Sequence, residues 1–244
     1  MTDPRAPLIS IITVTYNAAA TLEYTIKSVV EQTYSNIEFV VIDGASTDGT
    51  LEILRNYRSN LSVFVSEKDS GIYDAMNKAL GYAKGDWVYF LGADDVIMTP
   101  STIEDMVQHF NEADTIYYGD IYLKSSKRLY NGRVNLYKLL LCNISHQAIF
   151  YPKSVYKEKE YQTKYKYFAD HVYNLELYAS SKNSFKYISK VIAVYNDQGS
   201  SSTNVDEQYN ADIIDIIKNN FGSLPSAYLW ARREIAGVKK KMRH

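Results

Sequence analysis

The first hundred residues alternate between short apolar runs and segments with helical spacing, and this alternation constrains the fold more than any other feature. The first run, residues 8–15, is almost continuously apolar and β-branched, which is typical of a strand buried on both faces. Leu22, Ile26 and Val29 follow at the spacing of one helical face. Further predicted strands cover residues 37–42, 63–66 and 87–91. This pattern predicts an α/β fold with a mainly parallel central sheet flanked by helices.

Polar residues follow each of the four predicted strands. They are Tyr16 and Asn17, Asp43, Glu67 and Asp69, and Asp94 and Asp95. Ligands of open α/β sheets bind at the carboxyl ends of the strands. We therefore expect these side chains to form one binding site.

The adjacent carboxylates Asp94 and Asp95 are the most specific part of this expected site. They end an apolar run and precede the turn-forming Pro100. Buried charge is costly without a partner, and a hard divalent cation shared with a substrate phosphate is the usual one. A solvated loop is the alternative for an isolated pair of aspartates.

The combined motifs resemble the opening of family 2 glycosyltransferases, which have the GT-A nucleotide-sugar-binding fold. The resemblance is carried by LISIITVTYNAAATLEYTIKSVVEQTYSNIEFVVIDGASTDGT, SEKDSGIYDAMNKAL and YFLGADD. It covers residues 8–100 densely and the chain to about residue 203 more loosely. It implies inverting transfer of a sugar from a nucleoside diphosphate donor, UDP being the first candidate, with Mg²⁺ or Mn²⁺ as cofactor.

The resemblance also assigns donor-binding residues. Thr15 and Tyr16 would flank the base, beside the strand-tip Asn17, and Asp43 would accept a hydrogen bond from a uracil-like base. Many relatives have a second acid where this chain has Gly44, so Asp69 is an alternative contact. An Asx turn is the alternative role of Asp43.

Four further assignments concern the ribose, the diphosphate and the cation. In the family pattern Asp94 lies toward the ribose and Asp95 on the metal, while Gly92 replaces an acid or amide of many relatives. His146 is a further candidate metal ligand, or a donor to a phosphate or to the acceptor, although a lone histidine is more often structural. Lys78 is a candidate phosphate contact, with a solvated helix lysine as the alternative.

Asp170 is the predicted catalytic base. It opens a predicted helix, as does the Asp of the family's Glu-Asp pair, although Ala169 replaces the Glu. Direct displacement at the anomeric carbon needs a base opposite the leaving group; an N-cap is the alternative role. The Gln-x-x-Arg-Trp signature of processive synthases is absent, which favours transfer of one sugar per encounter. Residues 195–202 resemble the small-residue loop that often ends the catalytic module.

Length and composition suit this interpretation. We expect residues 1–203 to form the glycosyltransferase domain, with a nucleotide-sugar half at 1–100 and an acceptor half at 101–203, and 204–244 to form a helical extension. The net charge of −1 argues against nucleic-acid binding, and a single cysteine, Cys142, suits a reducing compartment. No signal peptide or membrane span is recognised, so a cytoplasmic location is expected.

The last twenty residues combine aromatic and basic side chains. Between Arg232 and Arg243 lie six basic residues and one acid, Glu234, and Tyr228 and Trp230 precede them. Residues 226–244 therefore suit either the inner face of an anionic membrane, near a lipid-linked or other glycan acceptor, or a helix packed on the domain.

Two other classes of protein remain open at this point. A sugar-phosphate nucleotidyltransferase would share the sheet architecture, but residues 16–20 lack the Gly-rich, Lys- or Arg-bearing phosphate loop that it needs. A non-catalytic glycan- or nucleotide-binding module would not need the acids Asp94, Asp95 and Asp170.

Overall fold

The central sheet contains six strands that run in one direction and three that run against them, within the residues that the structure describes. The computed structural model describes residues 6–130, 132–157, 159–180, 184–199 and 204–241, with side chains as far as residue 235. The strands are β1 (Ile9–Thr15), β2 (Ile37–Asp43), β3 (Val63–Ser66), β4 (Trp87–Phe90), β5 (Val96–Ile97), β6 (Thr115–Leu123), β7 (Arg128–Tyr130), β8 (Ile149–Pro152) and β9 (Ser184–Tyr195).

The strand order is β3-β2-β1-β4-β8-β6-β9-β5, with β7 paired to β6. β1 lies between β2 and β4 and is parallel to both, and β2 is parallel to β3. The predicted parallel first half is thus confirmed. β8 runs antiparallel between β4 and β6, and β5 runs antiparallel to β9, so the second half is mixed.

Eight α-helices cover the two faces of the sheet within the described ranges. They are α1 (Leu22–Val30), α2 (Thr50–Asn56), α3 (Ile72–Tyr82), α4 (Thr102–Val107), α5 (Leu136–Leu141), α6 (Ala169–Ala179), α7 (Glu207–Phe221) and α8 (Ser223–Lys241). The alternating strand residues divide between two cores. Ile11 packs in one core with Ile26 of α1, whereas Ile12 packs in the other with Ala79 of α3 and Val172 of α6.

Of the two C-terminal helices, α7 packs on α6, and α8 packs on α7 and α5. Ile213 and Ile217 of α7 are buried in the core that contains Leu175 of α6, and Leu229 of α8 joins the same core. The predicted domain boundary near residue 203 lies outside the described residues and stays a prediction. Among the described helices, none is both long enough and apolar enough to cross a bilayer.

Candidate active site

The carboxyl ends of β1 and β4 face a cavity of about 1030 Å³, together with the N-terminal ends of α3 and α6. A short segment between α5 and β8, residues 143–147, forms part of its wall. Parallel strands bring their carboxyl ends to one edge of the sheet, so distant residues meet here. The predicted site residues that line the cavity are Thr15, Tyr16, Asn17, Asp69, Asp94, His146 and Asp170.

Residues 15–17 form the wall that follows β1. Tyr16 is 64% exposed, so its ring is available for stacking. Asn17 adopts a left-handed conformation with φ 50°, and its Oδ1 accepts a hydrogen bond of 2.9 Å from the Thr47 amide. Thr15 Oγ1 is buried without a hydrogen-bond partner in the described part of the chain. Such an orphaned hydroxyl beside a cavity favours a polar ligand there.

Asp43 lies beneath this wall and does not line the cavity, contrary to the role predicted from the sequence. Its Oδ2 accepts hydrogen bonds from the Ser46 amide at 3.0 Å and from Ser66 Oγ at 2.6 Å, and its Oδ1 accepts one from Ser46 Oγ. The side chain is fully buried. Asp43 therefore holds the β2–α2 loop together, which is close to the Asx-turn alternative.

Asp69 occupies the space beside Tyr16 that a side chain at position 44 would need. A Cβ added to Gly44 would lie 2.5 Å from Asp69 Oδ2 and 3.3 Å from Tyr16 Cδ2. Asp69 is held there by a 2.9 Å hydrogen bond from the Gly71 amide to its Oδ1. The carboxylate of Asp69 thus occupies the place where a second acid at position 44 would lie.

Lys78 is not among the residues that line the cavity, so its predicted contact with a phosphate is not supported. Its Nζ lies 2.9 Å from Glu67 Oε1 and 3.5 Å from Asp74 Oδ2. It also donates a 2.9 Å hydrogen bond to the Lys68 carbonyl. The lysine therefore links Asp74 at the start of α3 to Glu67 in the segment before the helix, and both acids pair with its charge.

Of the two acids after β4, Asp94 lines the cavity and Asp95 is buried. Asp94 lines the cavity, and its Oδ2 accepts a 2.9 Å hydrogen bond from Asn196 Nδ2. Asp95 is only 1% exposed and accepts hydrogen bonds from Gln147 Nε2 at 2.6 Å and from the Asn196 amide at 2.7 Å. Burial, and then the charge of Asp94, raise the pKa of Asp95 to about 6 from an ordinary 3.8.

The two carboxylates suit a hard divalent cation such as Mn²⁺ or Mg²⁺. A Cβ added at Gly92 would clash with Asp95 Oδ2 and lie 3.2 Å from Asp94 Oδ1, so glycine leaves the space into which both carboxylates point. Within the described residues, no group of three or more His, Cys, Asp or Glu side chains is arranged to hold a metal. Mg²⁺ is commonly held by one or two carboxylates plus substrate phosphates, and this donor set fits that arrangement.

Asp170 stands at the start of α6 and also lines the cavity. Its Oδ1 accepts hydrogen bonds of 2.9 Å from Tyr73 Oη and from the His171 amide, and its Oδ2 accepts one of 2.7 Å from Asn143 Nδ2. Burial alone would raise the pKa of Asp170, but the hydrogen bond and charge of His146, with Tyr73, hold it below its ordinary value. Asp170 is therefore a carboxylate at neutral pH.

His146, predicted as a metal ligand, lies against Asp170 and not in a cluster with Asp94 and Asp95. Its Nδ1 is 3.3 Å from Asp170 Oδ2, and its side chain is 17% exposed. It begins the short 3₁₀ helix His146–Ala148 that leads into β8. In the same segment, Asn143 donates a hydrogen bond to Asp170, and Gln147 donates one to Asp95.

Sequence reasoning missed several residues of the cavity. Asn143, Gln147 and Asn196 support the carboxylates, and Arg128 and Lys166 add positive charge to the lining. The two asparagines lie in loops and Gln147 in the 3₁₀ helix His146–Ala148, and the polar composition of these segments alone predicts only turns. Arg128 follows two serines and a lysine, and nothing in this local sequence indicates a ligand-binding residue.

Comparison with known proteins adds a family to this geometry. The family described as Glycosyl transferase family 2 matches residues 10–180. A PGL/p-HBAD biosynthesis glycosyltransferase of Mycobacterium bovis is 35% identical over 212 residues, which are 84% of this chain and 83% of that protein. A Bacillus subtilis glycosyltransferase assigned by its name to teichuronic acid biosynthesis, TuaG, is 42% identical over 92 residues, 36% of each chain.

Solved structures share the architecture at lower identity. S. aureus TarS 1–349 in complex with UDP-GlcNAc has a TM-score of 0.72 at 21% identity, over 91% of this chain and 69% of that one. The chain spans 41% of a longer TarS chain. The likeness confirms the predicted GT-A-like α/β fold. The mannosyltransferase PcManGT from Pyrobaculum calidifontis, in complex with GDP-Man and Mn²⁺, has a TM-score of 0.66 at 19% identity, over 98% of this chain and 83% of that one.

Proposed function

Because this chain belongs to glycosyltransferase family 2, we propose that it is an inverting, metal-dependent and non-processive enzyme. It moves a sugar from a nucleoside-diphosphate sugar, with UDP as the first candidate, to a hydroxyl of a glycan or lipid-linked acceptor. The observation that carries the proposal is that Asp94 and Asp170 line one cavity from two different parts of the fold. Such a cavity can hold a leaving diphosphate on one side and an attacking hydroxyl on the other.

The nucleotide is proposed to bind along the wall after β1. The exposed ring of Tyr16 offers a stacking surface for the base, and Thr15 Oγ1 has no hydrogen-bond partner among the described residues. Asp69 replaces Asp43 as the acid nearest to the base, because the Asp43 carboxylate already accepts hydrogen bonds from Ser46 and Ser66. The complex of TarS with UDP-GlcNAc supports a uridine nucleotide, and that of PcManGT with GDP-Man leaves guanosine as the competitor.

The diphosphate is proposed to lie near Asp94 and Asp95, with Asp94 toward the ribose. Those two residues would hold Mn²⁺ or Mg²⁺, which would neutralise the charge that develops on the departing diphosphate. The Mn²⁺ complex of PcManGT supports this choice of cation. Arg128 and Lys166 line the same cavity and contribute positive charge toward an anionic substrate.

The acceptor is proposed to approach from the α6 side, where Asp170 supplies the negative charge of the base. An inverting displacement places the attacking hydroxyl opposite the leaving group, so the base and the acidic pair should face each other across the sugar. That Asp170 lines the cavity from α6 and Asp94 from the end of β4 supports this placement. Its hydrogen bonds from Tyr73 and Asn143 fix the carboxylate in place.

The acceptor class follows from the relatives and from α8. The names of the relatives place them in PGL/p-HBAD and teichuronic acid biosynthesis, which supports a cell-surface glycan. On α8, Leu224, Trp230 and Ile235 are more than half exposed, while Leu229 is buried against the domain. We infer that residues 226–244 bring a cytoplasmic enzyme to the inner face of an anionic membrane, near a lipid-linked acceptor.

A donor screen tests the proposal directly. Purified protein is incubated with UDP-, GDP- and dTDP-sugars, with octyl glycosides as soluble acceptors, in the presence of Mn²⁺, Mg²⁺ or EDTA. We expect nucleoside diphosphate release and a new glycosidic bond of inverted anomeric configuration, both lost in EDTA. Retained configuration would contradict the inverting mechanism. Full turnover in EDTA would contradict the metal requirement, and formation of pyrophosphate would identify a nucleotidyltransferase.

A further inference from the structure

The carboxylate of Asp170 has no acceptor position left for an incoming hydroxyl. A carboxylate offers about four lone-pair positions. Here Tyr73 Oη and the His171 amide lie 2.9 Å from Oδ1, and Asn143 Nδ2 and His146 Nδ1 lie 2.7 and 3.3 Å from Oδ2. A direct base needs a free lone pair within hydrogen-bond reach of the proton that it removes.

His146 has the free position that Asp170 lacks. Its Nδ1 is directed at Asp170, whereas its Nε2 makes no hydrogen bond to any residue of the described chain. The imidazole lines the cavity, and its side chain is 17% exposed against 8% for Asp170. A hydrogen bond from Nδ1–H to a carboxylate selects the tautomer in which Nε2 carries the lone pair.

We propose that His146 and Asp170 act as one base, in which His146 Nε2 takes the acceptor proton and Asp170 is the positioning residue. The inference rests on the proposed function and refines its acceptor side. As the acceptor oxygen bonds to the anomeric carbon, the bond from that carbon to the diphosphate oxygen breaks, and its electron pair leaves with the diphosphate. The acceptor proton moves to Nε2, and the resulting imidazolium faces the Asp170 carboxylate.

The surroundings of the pair support this division of roles. Tyr73 is itself anchored by a second hydrogen bond of 2.9 Å to the Tyr167 carbonyl, and Asn143 Oδ1 accepts one of 2.9 Å from Asn174 Nδ2. These two donors to Asp170 are therefore held from behind and are poorly placed to leave. The same network orients a carboxylate well but does not open it to a substrate.

The test compares His146→Asn, His146→Gly and the exposed His109→Ala, using the donor and octyl glycoside that the screen identifies. Asparagine can still donate to Asp170 but cannot take a proton. We expect His146→Asn to keep donor affinity and to lose turnover by about 10²–10⁴-fold, the usual scale of general-base catalysis. His109→Ala, whose side chain is exposed outside the cavity, should turn over like the parent enzyme.

Two further readouts separate a catalytic from a structural role. Added imidazole should restore part of the turnover of His146→Gly, and it should not help Asp170→Asn. The double variant His146→Asn/Asp170→Asn should lose about as much as the worse single variant, because the pair acts as a unit. Turnover of His146→Asn within threefold of the parent, or no rescue by imidazole in a folded glycine variant, overturns the inference. Failure of the parent enzyme with every donor would instead count against the proposed function.

Discussion

Gln147 donates a hydrogen bond of 2.6 Å from its Nε2 to Oδ2 of the buried Asp95, although the two residues are 52 positions apart. The preceding residue, His146, contacts Asp170 at 3.3 Å. Successive residues of one short turn therefore contact both the acid proposed to bind the cation and the acid proposed for the base. This short segment therefore connects the two acids to which the proposal assigns cation binding and base catalysis.

Gln147→Leu should destabilise the protein, because it leaves Asp95 Oδ2 buried without that donor. The expected loss is about 1–3 kcal/mol of the free energy of unfolding, the usual cost of an unsatisfied buried polar group. Urea denaturation measures it. Gln108→Leu is the matched control, since Gln108 is exposed and should change stability by about 0.5 kcal/mol or less. Equal stability of the two variants would show that Asp95 does not depend on Gln147.

Asp95→Asn should abolish metal-dependent donor binding and leave the fold intact. The substitution removes an anionic ligand from a site whose affinity depends on ligand charge. The Gln147 amide can rotate to suit the new side chain, because its partner Ser145 has a hydroxyl that both donates and accepts. Calorimetric titration with UDP, with and without Mn²⁺, measures the effect. If Mn²⁺ strengthens UDP binding equally in the variant and the parent, the ion binds elsewhere.

The raised pKa of Asp95 predicts a pH dependence of stability in the absence of metal. Its folded-state pKa is about 6, above the ordinary 3.8, so the folded protein keeps a proton that the unfolded chain loses between these values. The contribution is fully present below about pH 4 and is lost as the pH rises through about 6, on the order of 3 kcal/mol in total.

Urea denaturation of the parent and of Asp95→Asn at pH 4, 5, 6 and 7 isolates this contribution. The difference between the two proteins should shift against the parent with rising pH, and Mn²⁺ should reverse the shift at pH 7. Subtraction also removes the opposite trend expected from His171, whose pKa burial lowers. A difference that is constant over this range would mean that Asp95 titrates at its ordinary pKa.

Asp170→Asn should retain donor affinity and lose turnover by about a hundredfold or more. The amide loses the negative charge, and it cannot fix the same histidine tautomer that the carboxylate fixes. Donor affinity and turnover are measured separately, by titration and by nucleoside diphosphate release. Asp212→Asn is the control, because Asp212 does not line the cavity and its carboxylate is paired with Lys164 at 2.8 Å. Equal losses of binding and turnover would assign Asp170 a structural role.

The membrane contact is tested by removing charge from the tail without removing α8. Truncation after Gly222 would expose the partners of the buried Leu229, so Lys239, Lys240 and Lys241 are changed to Gln. Each charge is worth about 1 kcal/mol near an anionic surface, so binding to phosphatidylserine vesicles at low salt should fall by roughly a hundredfold. Co-sedimentation measures it, with Lys68, Lys84 and Lys124 changed to Gln as the control. If the two triple variants bind alike, the tail does not direct the contact.

The sequence alone determined the parallel first half of the sheet and the edge at which Thr15, Asp69 and Asp94 meet. Periodicity reports which face of an element is buried, and the topology of parallel strands brings their carboxyl ends together. The resemblance to family 2 glycosyltransferases, carried by the residues between 8 and 100, led to the correct fold and family.

Only the tertiary structure decided which partner each polar side chain has. Asp43 is enclosed by Ser46 and Ser66, Lys78 is held by Glu67, and His146 lies on Asp170. The packing of α7 on α6 and of α8 on α5 was likewise decided by the tertiary structure. A hydrogen bond between residues such as Gln147 and Asp95 depends on the packing of elements far apart in the chain. Local periodicity and spacing cannot predict that packing, because they describe each helix or strand separately.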